Sequence, residues 1–283
     1  STSHADIVEL PNGNWIMVCL GIRNEENRVS NMGRETLILP VVWEKEPFWW
    51  KETQYNWPVC NPLTGKIEKQ YPYFLPINDS TYEPTKKEYE FQENTLPLNW
   101  IHRRVSLENS YSLNTKTGYL SMYCLPDTIK ERSPYNFIGI KQNETHFETS
   151  TTMQFNPTIN GEEAGLCLIQ KDDNYILFDV RHEDNENVLR LVINAKKKNA
   201  ILQKDLVMGK KYKNYIELKV ILKENKYHFY YRYQSNDLWE LFDTAASNLL
   251  LSEGYTGSHI GLYATSNGKK SINFASFDVF KLN

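Results

Sequence analysis

Helical periodicity is almost missing from this chain. No window sustains apolar residues at i, i+3, i+4 and i+7, which excludes a helical class. Long hydrophobic runs are missing too: nothing approaches the ~18–20 apolar residues of a membrane span, so no membrane partner is expected. Ser1 opens without the basic-then-apolar pattern of a signal peptide, as in a mature, trimmed or truncated chain. Cysteine is scarce: Cys19, Cys60, Cys124 and Cys167 lie far apart, with no CxxC pair and no histidine at metal spacing. Neither a zinc site nor a redox motif is signalled, and buried thiols are expected rather than disulfides. Charge of one sign is not in excess: Lys+Arg 32 against Asp+Glu 35 leaves a formal net charge of -3, with the cations scattered. No nucleic-acid partner is expected, and the partner is expected to be neutral or small.

What is present is aromatic and alternating. A hydrophobic fraction of 40%, with 18 Tyr, 12 Phe and 7 Trp, is ample for a packed core. At 283 residues the chain is long enough for one large all-β domain, or one domain and part of a second. The clearest hairpin runs from Tyr215 to Tyr233: Ile216, Leu218, Val220 and Leu222 alternate with polar residues, Lys223 to Lys226 turn, and Phe229, Tyr231 and Tyr233 resume the alternation. Further short runs cover Tyr119–Cys124, His146–Phe155, Ala164–Gln170, Tyr175–Val180, Val188–Ile193, His259–Ala264 and Ile272–Leu282. Their spacing between polar turns predicts a two-sheet sandwich.

The first ~75 residues read differently. Ile7–Leu10, a Pro11-Asn12-Gly13-Asn14 turn and Trp15–Gly21 predict a hairpin, Thr36–Trp43 predicts one more strand, and together they lack a core of their own. Pro58 to Pro84 carries five prolines with little pattern, which predicts an extended connector. The expected division is residues 1–78 and 79–283.

Acid–base hydrolysis ordinarily needs a protonated and an ionised carboxyl group held across the scissile bond, and no Asp or Glu here sits in a setting that marks such a pair, so no catalytic residue is assigned. Asp6 and Glu9 beside His4 look like an acid, a base and a third polar group, with a metal reading also open, but strand-end solvation, with one ligand role at most, is the favoured account of the two carboxylates. Arg34, after Gly33 and before a strand, either enters a pocket or pairs with Glu35 or Glu44. Trp43, Trp49, Trp50, Trp57 and the Tyr-rich strands either form a sugar-stacking platform or pack inside, and packing is expected for most. The sequons Asn78-Asp79-Ser80 and Asn143-Glu144-Thr145 are too short to carry weight.

HADIVELPNGNWIMVCLGIR, then NMGRETLILPVVWE and WPVCNPLTGKIE, resemble the end of the five-bladed propeller of glycoside hydrolase family 43 β-xylosidases and α-L-arabinofuranosidases. EFQENTLPLNWIHRR, FIGIKQNETHFETSTTMQFNP, EEAGLCLIQ, GYTGSHIGLYATS and NFASFDVF resemble the concanavalin-like β-sandwich (jelly roll) that follows it. The resemblance implies an all-β chain: final propeller strands, then an accessory sandwich closing the active-site pocket of an inverting, exo-acting hydrolase. The catalytic carboxylates would come from earlier blades.

By motif, His4 and Arg34 would be substrate-binding, as would Tyr255 or His259 in the loop similar to GYTGSHIG. A structural calcium is implied at Glu90 and Asp278. The implied partners are a xylo- or arabino-oligosaccharide, the remaining propeller or a homo-oligomer, in a bacterial intracellular or periplasmic setting. A stand-alone carbohydrate-binding sandwich, with an aromatic row open to solvent, is the alternative.

Overall fold

A computed structural model describes residues 2–23, 30–44, 56–68, 71, 87–195, 200–250 and 256–283. Two compact units result: Ser1–Val29 with Gly33–Glu83, and Ser30–Met32 with Pro84–Asn283. The expected division point, Trp49, Trp50, Tyr255 and the first sequon lie outside the described residues.

The first unit is a four-stranded antiparallel meander in chain order: β1 (Thr2–Glu9), β2 (Trp15–Ile22), β3 (Arg34–Glu44) and β4 (Trp57–Cys60). The Pro11–Asn14 turn closes as its residues demand, with Gly13 at φ 80 donating to the Leu10 carbonyl at 2.8 Å. β4 corrects the connector reading, because Trp57–Cys60 pairs with Val41–Glu44. Pro58 is tolerated there because β4 is an edge strand with no second ladder to feed. Four antiparallel strands in this order are the unit from which a propeller blade is made.

The second unit is a sandwich. One sheet has eight strands in the order β17 (Glu240–Ala246), β16 (Lys226–Arg232), β15 (Tyr215–Lys223), β10 (Phe147–Gln154), β19 (Phe274–Leu282), β8 (Leu120–Tyr123) and β7 (Tyr111–Ser112), with β5 (Lys87–Tyr89) also on β19. The other has seven: β14 (Ala200–Val207), β13 (Glu186–Ala195), β12 (Asn174–Glu183), β11 (Glu163–Lys171), β18 (His259–Thr265), β9 (Phe137–Lys141) and β6 (Ile101–His102). Leu166, Phe178 and Leu262 of the seven-stranded sheet face Leu218, Phe229 and Phe277 of the eight-stranded one across a single core. Phe178 lies 5.5 Å, centroid to centroid, from both Phe229 and Phe242, an aromatic bridge between the sheets.

The two sheets differ in how their outer faces are treated. β10 alternates buried and half-buried residues because its outer side is wet. β11 is buried at every position before Lys171, since a second apolar cluster covers its outer side. Ile129 and Tyr135, from the segment preceding β9, cover Phe137, Cys167, Ile169, Tyr175 and Tyr263 there. The Ile129 amide donates to the Tyr263 hydroxyl at 3.0 Å. Tyr263→Phe is expected to destabilise by about 1–3 kcal/mol by orphaning that buried N–H. Urea unfolding measures it, and an unchanged midpoint would show that the amide re-pairs.

Candidate functional site

In the four-stranded sheet the β1–β2 register breaks between Ser3 and Asp6, so His4 and Ala5 form a bulge. His4 sits at φ 50, a conformation uncommon for side chains with a Cβ, and bulges of this kind re-aim a side chain. It is exposed, with its Nδ1 2.8 Å from the Ser3 hydroxyl. Arg34 opens β3 opposite Ile22, directly after Gly33 at φ 65. Thr2, Gly21 and Glu35 stand in line across the three strands, so His4 and Arg34 come to the same end of the sheet with β2 between them. Glu35, a candidate partner for Arg34, is engaged by Arg23 at 2.9 Å. Asp6 and Glu9 lie exposed on β1, opposite Val18 and Trp15, as strand-surface carboxylates.

In the sandwich, His259 opens β18 between Lys141 of β9 and Ile169 of β11. Only 9% of its surface is exposed, and its Nδ1 has no hydrogen-bond partner among the described residues. Burial, assisted by the positive charges of Arg103 and Lys141, pushes its pKa down to about 4. At neutral pH it is an uncharged imidazole.

The segment just before His259 holds a short piece of chain that sequence reasoning did not connect with it. The Ser258 amide donates to the Asn31 carbonyl at 2.6 Å, and Gln170 Nε2 donates to the Ser30 carbonyl at 2.9 Å and to the Thr256 carbonyl at 3.3 Å. Gln142 closes the group, its amide donating to the Ser258 carbonyl at 2.9 Å. Gly257 is required by close approach, because a Cβ there would lie 2.4 Å from the Met32 carbonyl oxygen. Ser30–Met32, immediately ahead of the Gly33-Arg34 step, is therefore built into the sandwich by residues 142, 170 and 256–258. The signal in the sequence was the second glycine of GYTGSHIG.

A third group lies on the outer face of the seven-stranded sheet. Arg190 donates Nε to Asp179 Oδ1 at 3.1 Å, and Nη2 to Asp179 Oδ2 at 3.0 Å and to Glu163 Oε2 at 2.6 Å. All three side chains are almost inaccessible. Burial pushes Asp179 up to about 6, with Glu163 adding to the rise and Arg190 opposing it.

Among the described residues the aromatic side chains of the sandwich form no open platform. Tyr135, Phe137, Tyr175 and Tyr263 on the outer face are at most 2% exposed. On the other sheet, Trp239 lies between Lys219 Nζ, 4.3 Å from its ring centre, and Arg232 Cζ at 4.4 Å. In the four-stranded sheet Trp43 packs edge-on against Trp15 at 5.3 Å, while Trp57 is exposed. The four cysteines are free thiols, three buried and Cys60 half-buried.

The implied calcium is tested by the donor set. Glu90 is exposed just past β5 and Asp278 is half-buried in β19. Among the described residues no three His, Cys, Asp or Glu side chains form a group that could hold a metal ion. Calcium takes six to eight oxygens, so backbone carbonyls would have to complete a site begun by these two carboxylates. Melting in calcium and in EGTA measures it: a rise of several degrees with calcium would mean that they do, and coinciding curves that no calcium is held.

Similarity to known proteins follows both units. The chain is 29% identical to a xylosidase/arabinosidase of Butyrivibrio fibrisolvens over 99% of its own length and 52% of that protein's. It is 28% identical to a non-reducing end α-L-arabinofuranosidase of Bacteroides ovatus, over 98% of its length and 50% of that protein's. It superposes on the solved structure described as Bacteroides ovatus xyloglucan PUL GH43B with a TM-score of 0.85 and 25% identity, covering 100% of this chain and 53% of that one. The chain thus spans about half the length of the relatives it matches. Residues 88–283, the sandwich with its covered outer face, match the model of a single domain family, and the chain belongs to that family, the β-xylosidase C-terminal concanavalin A-like domains.

Proposed function

We propose that this chain serves as the C-terminal portion of a glycoside hydrolase that releases terminal sugars from xylose- or arabinose-containing glycans. In that reading His4 and Arg34 bind the sugar, the sandwich closes the pocket of the complete protein, and the catalytic carboxylates come from other blades. The observation that carries it is the continuous similarity of blade and sandwich together to the xylosidase/arabinosidase and the arabinofuranosidase. The blade's geometry supports it: a bulge aims His4, a glycine precedes Arg34, and both stand at one end of the sheet. Val8, Ile38, Val42, Trp43 and Trp57 are exposed on this sheet, as apolar residues are when neighbouring blades cover them. Tyr255, which directly precedes Thr256 in the sequence, or His259 is proposed as a further sugar contact.

The test is hydrolysis of p-nitrophenyl β-D-xyloside and α-L-arabinofuranoside by this chain and by a longer protein that supplies the upstream blades. Turnover is expected only from the longer protein, and there Arg34→Ala is expected to lower kcat/KM by about 10²-fold through lost positioning of the sugar. Turnover by the 283-residue chain alone would overturn the reading. The aromatic row expected of a stand-alone binding module is not present, among the described residues, on either sheet of the sandwich.

A further inference from the structure

Five of the 32 cations, scattered in the sequence, gather in the fold. At the β11–β12 turn Lys171, Asp172 and Asp173 meet Arg103 and Arg104 from just after β6, Lys130 and Arg132 from the segment before β9, and Asn194 of β13. Together they line a cavity of about 660 Å³. Five cations face two carboxylates, in a chain whose formal net charge is -3. Such a concentration of one sign in a recess raises the local concentration of anions.

The lining is organised. Asp172 accepts from Arg103 Nη2 at 3.5 Å through one oxygen and from Arg104 Nη2 through the other, so both guanidinium groups are held at the same wall. Arg104 is kept at φ 68, a backbone conformation that few side chains with a Cβ adopt. Lys130 and Arg132 are exposed, and among the described residues no carboxylate pairs with either. Glu131 between them does not line the cavity, and its carboxylate accepts from the Ser133 hydroxyl at 3.5 Å. Two cations thus remain to meet an anion, in a cavity also lined by a carboxylate, Asp173, that can only accept hydrogen bonds.

Hydrogen bonding distinguishes one anion from another here. A phosphate offers at most one or two hydroxyls as donors and otherwise sets acceptor oxygens against Asp173. A carboxylate-bearing sugar brings one charge for the Lys130–Arg132 pair and several hydroxyls that can donate to Asp173 or bond to Asn194. The volume is in the range of small-ligand pockets. No aromatic ring lines the cavity, so affinity would come from charge and hydrogen bonds alone.

We propose that this cavity is a binding site for an acidic sugar, a uronate unit, with Lys130 and Arg132 holding its carboxylate and Asp173 accepting from its hydroxyls. The site contains neither His4 nor Arg34, and it goes beyond the hydrolase reading.

The test is a calorimetric or NMR titration of the full chain with D-glucuronate, methyl β-D-xyloside and inorganic phosphate at low salt. Glucuronate is expected to bind about tenfold or more tightly than either competitor, a difference of about 1.4 kcal/mol. Raising the salt is expected to weaken it, as screening of partly exposed charges requires. Lys130→Ala/Arg132→Ala is expected to lose about tenfold in affinity with unchanged melting, because both side chains are exposed. Asp173→Asn is expected to weaken glucuronate and strengthen phosphate. Equal binding of the neutral xyloside, tighter binding of phosphate, retained affinity in the double variant, or no glucuronate binding would each overturn the proposal. Hydrolysis by the longer protein is a separate readout, so either reading can fail while the other stands.

Discussion

Arg190→Met is expected to cost about 3–5 kcal/mol of stability, because it leaves two buried carboxylates without their shared cation. Arg190 makes three hydrogen bonds to Asp179 and Glu163, and none of the three side chains has appreciable access to water. The remaining help is slight: Arg181 reaches Glu163 at 3.4 Å and Glu183 at 3.3 Å. The loss should depend on pH in a definite sense. Asp179 already has a folded pKa raised above its ordinary 3.8, so its contribution to stability is fully present below that value and is lost as pH rises through about 6. Without Arg190, Asp179 holds its proton still more strongly, so the variant's deficit should be larger at pH 8 than at pH 5. Urea unfolding at both values measures it. A deficit independent of pH would mean that the damage is a packing defect rather than unpaired charge. Replacing all three residues by apolar ones of similar volume should restore much of the stability, since the ion cluster itself contributes little net.

His259→Gln is expected to flatten the acid side of the stability profile. The folded pKa of His259, about 4, lies below the ordinary 6.5, so its contribution is present above 6.5 and is lost as pH falls through about 4. A shift of this size corresponds to roughly 3 kcal/mol for this almost buried group. In the same window Asp179 acts in the opposite direction, gaining protons favourably as pH falls. The profile of the unaltered protein therefore conceals both groups, and only the difference between it and the variant isolates His259. Denaturant unfolding at pH 7, 5.5 and 4.5 provides that difference. Parallel profiles would show that the imidazole is solvated in the folded chain and titrates there as it does in the unfolded one.

Much of the architecture was legible locally. β10, β15 and β16 were readable because each has one buried and one wetter side, and a period-two pattern records that in the sequence. β4, β14 and β17 were not. β14 is exposed from Ile201 to Val207, so burial imposes no alternation on it, and Pro58 in β4 argued against a strand that an edge position permits. Of the site residues, His4 and Arg34 were legible by motif, and the strand register then brought them to one end of a sheet. Gly257, Gln170 and Ser258 were not, because their partner Ser30–Met32 is more than a hundred residues away in the chain.

By itself the sequence determined that this protein is all-β, with a short strand group ahead of a sandwich, because alternation and turn chemistry are properties of neighbouring residues. It also carried, in ordered motifs that span both units, the resemblance to the C-terminal halves of family 43 enzymes. Only the tertiary structure decided that Glu163, Asp179 and Arg190 share one buried site, and that Arg103, Arg104, Lys130, Arg132 and Lys171 converge on one cavity. Those groupings depend on which strands pair and in which register. Register is set by burial of whole sheet faces, a long-range condition that no local pattern records.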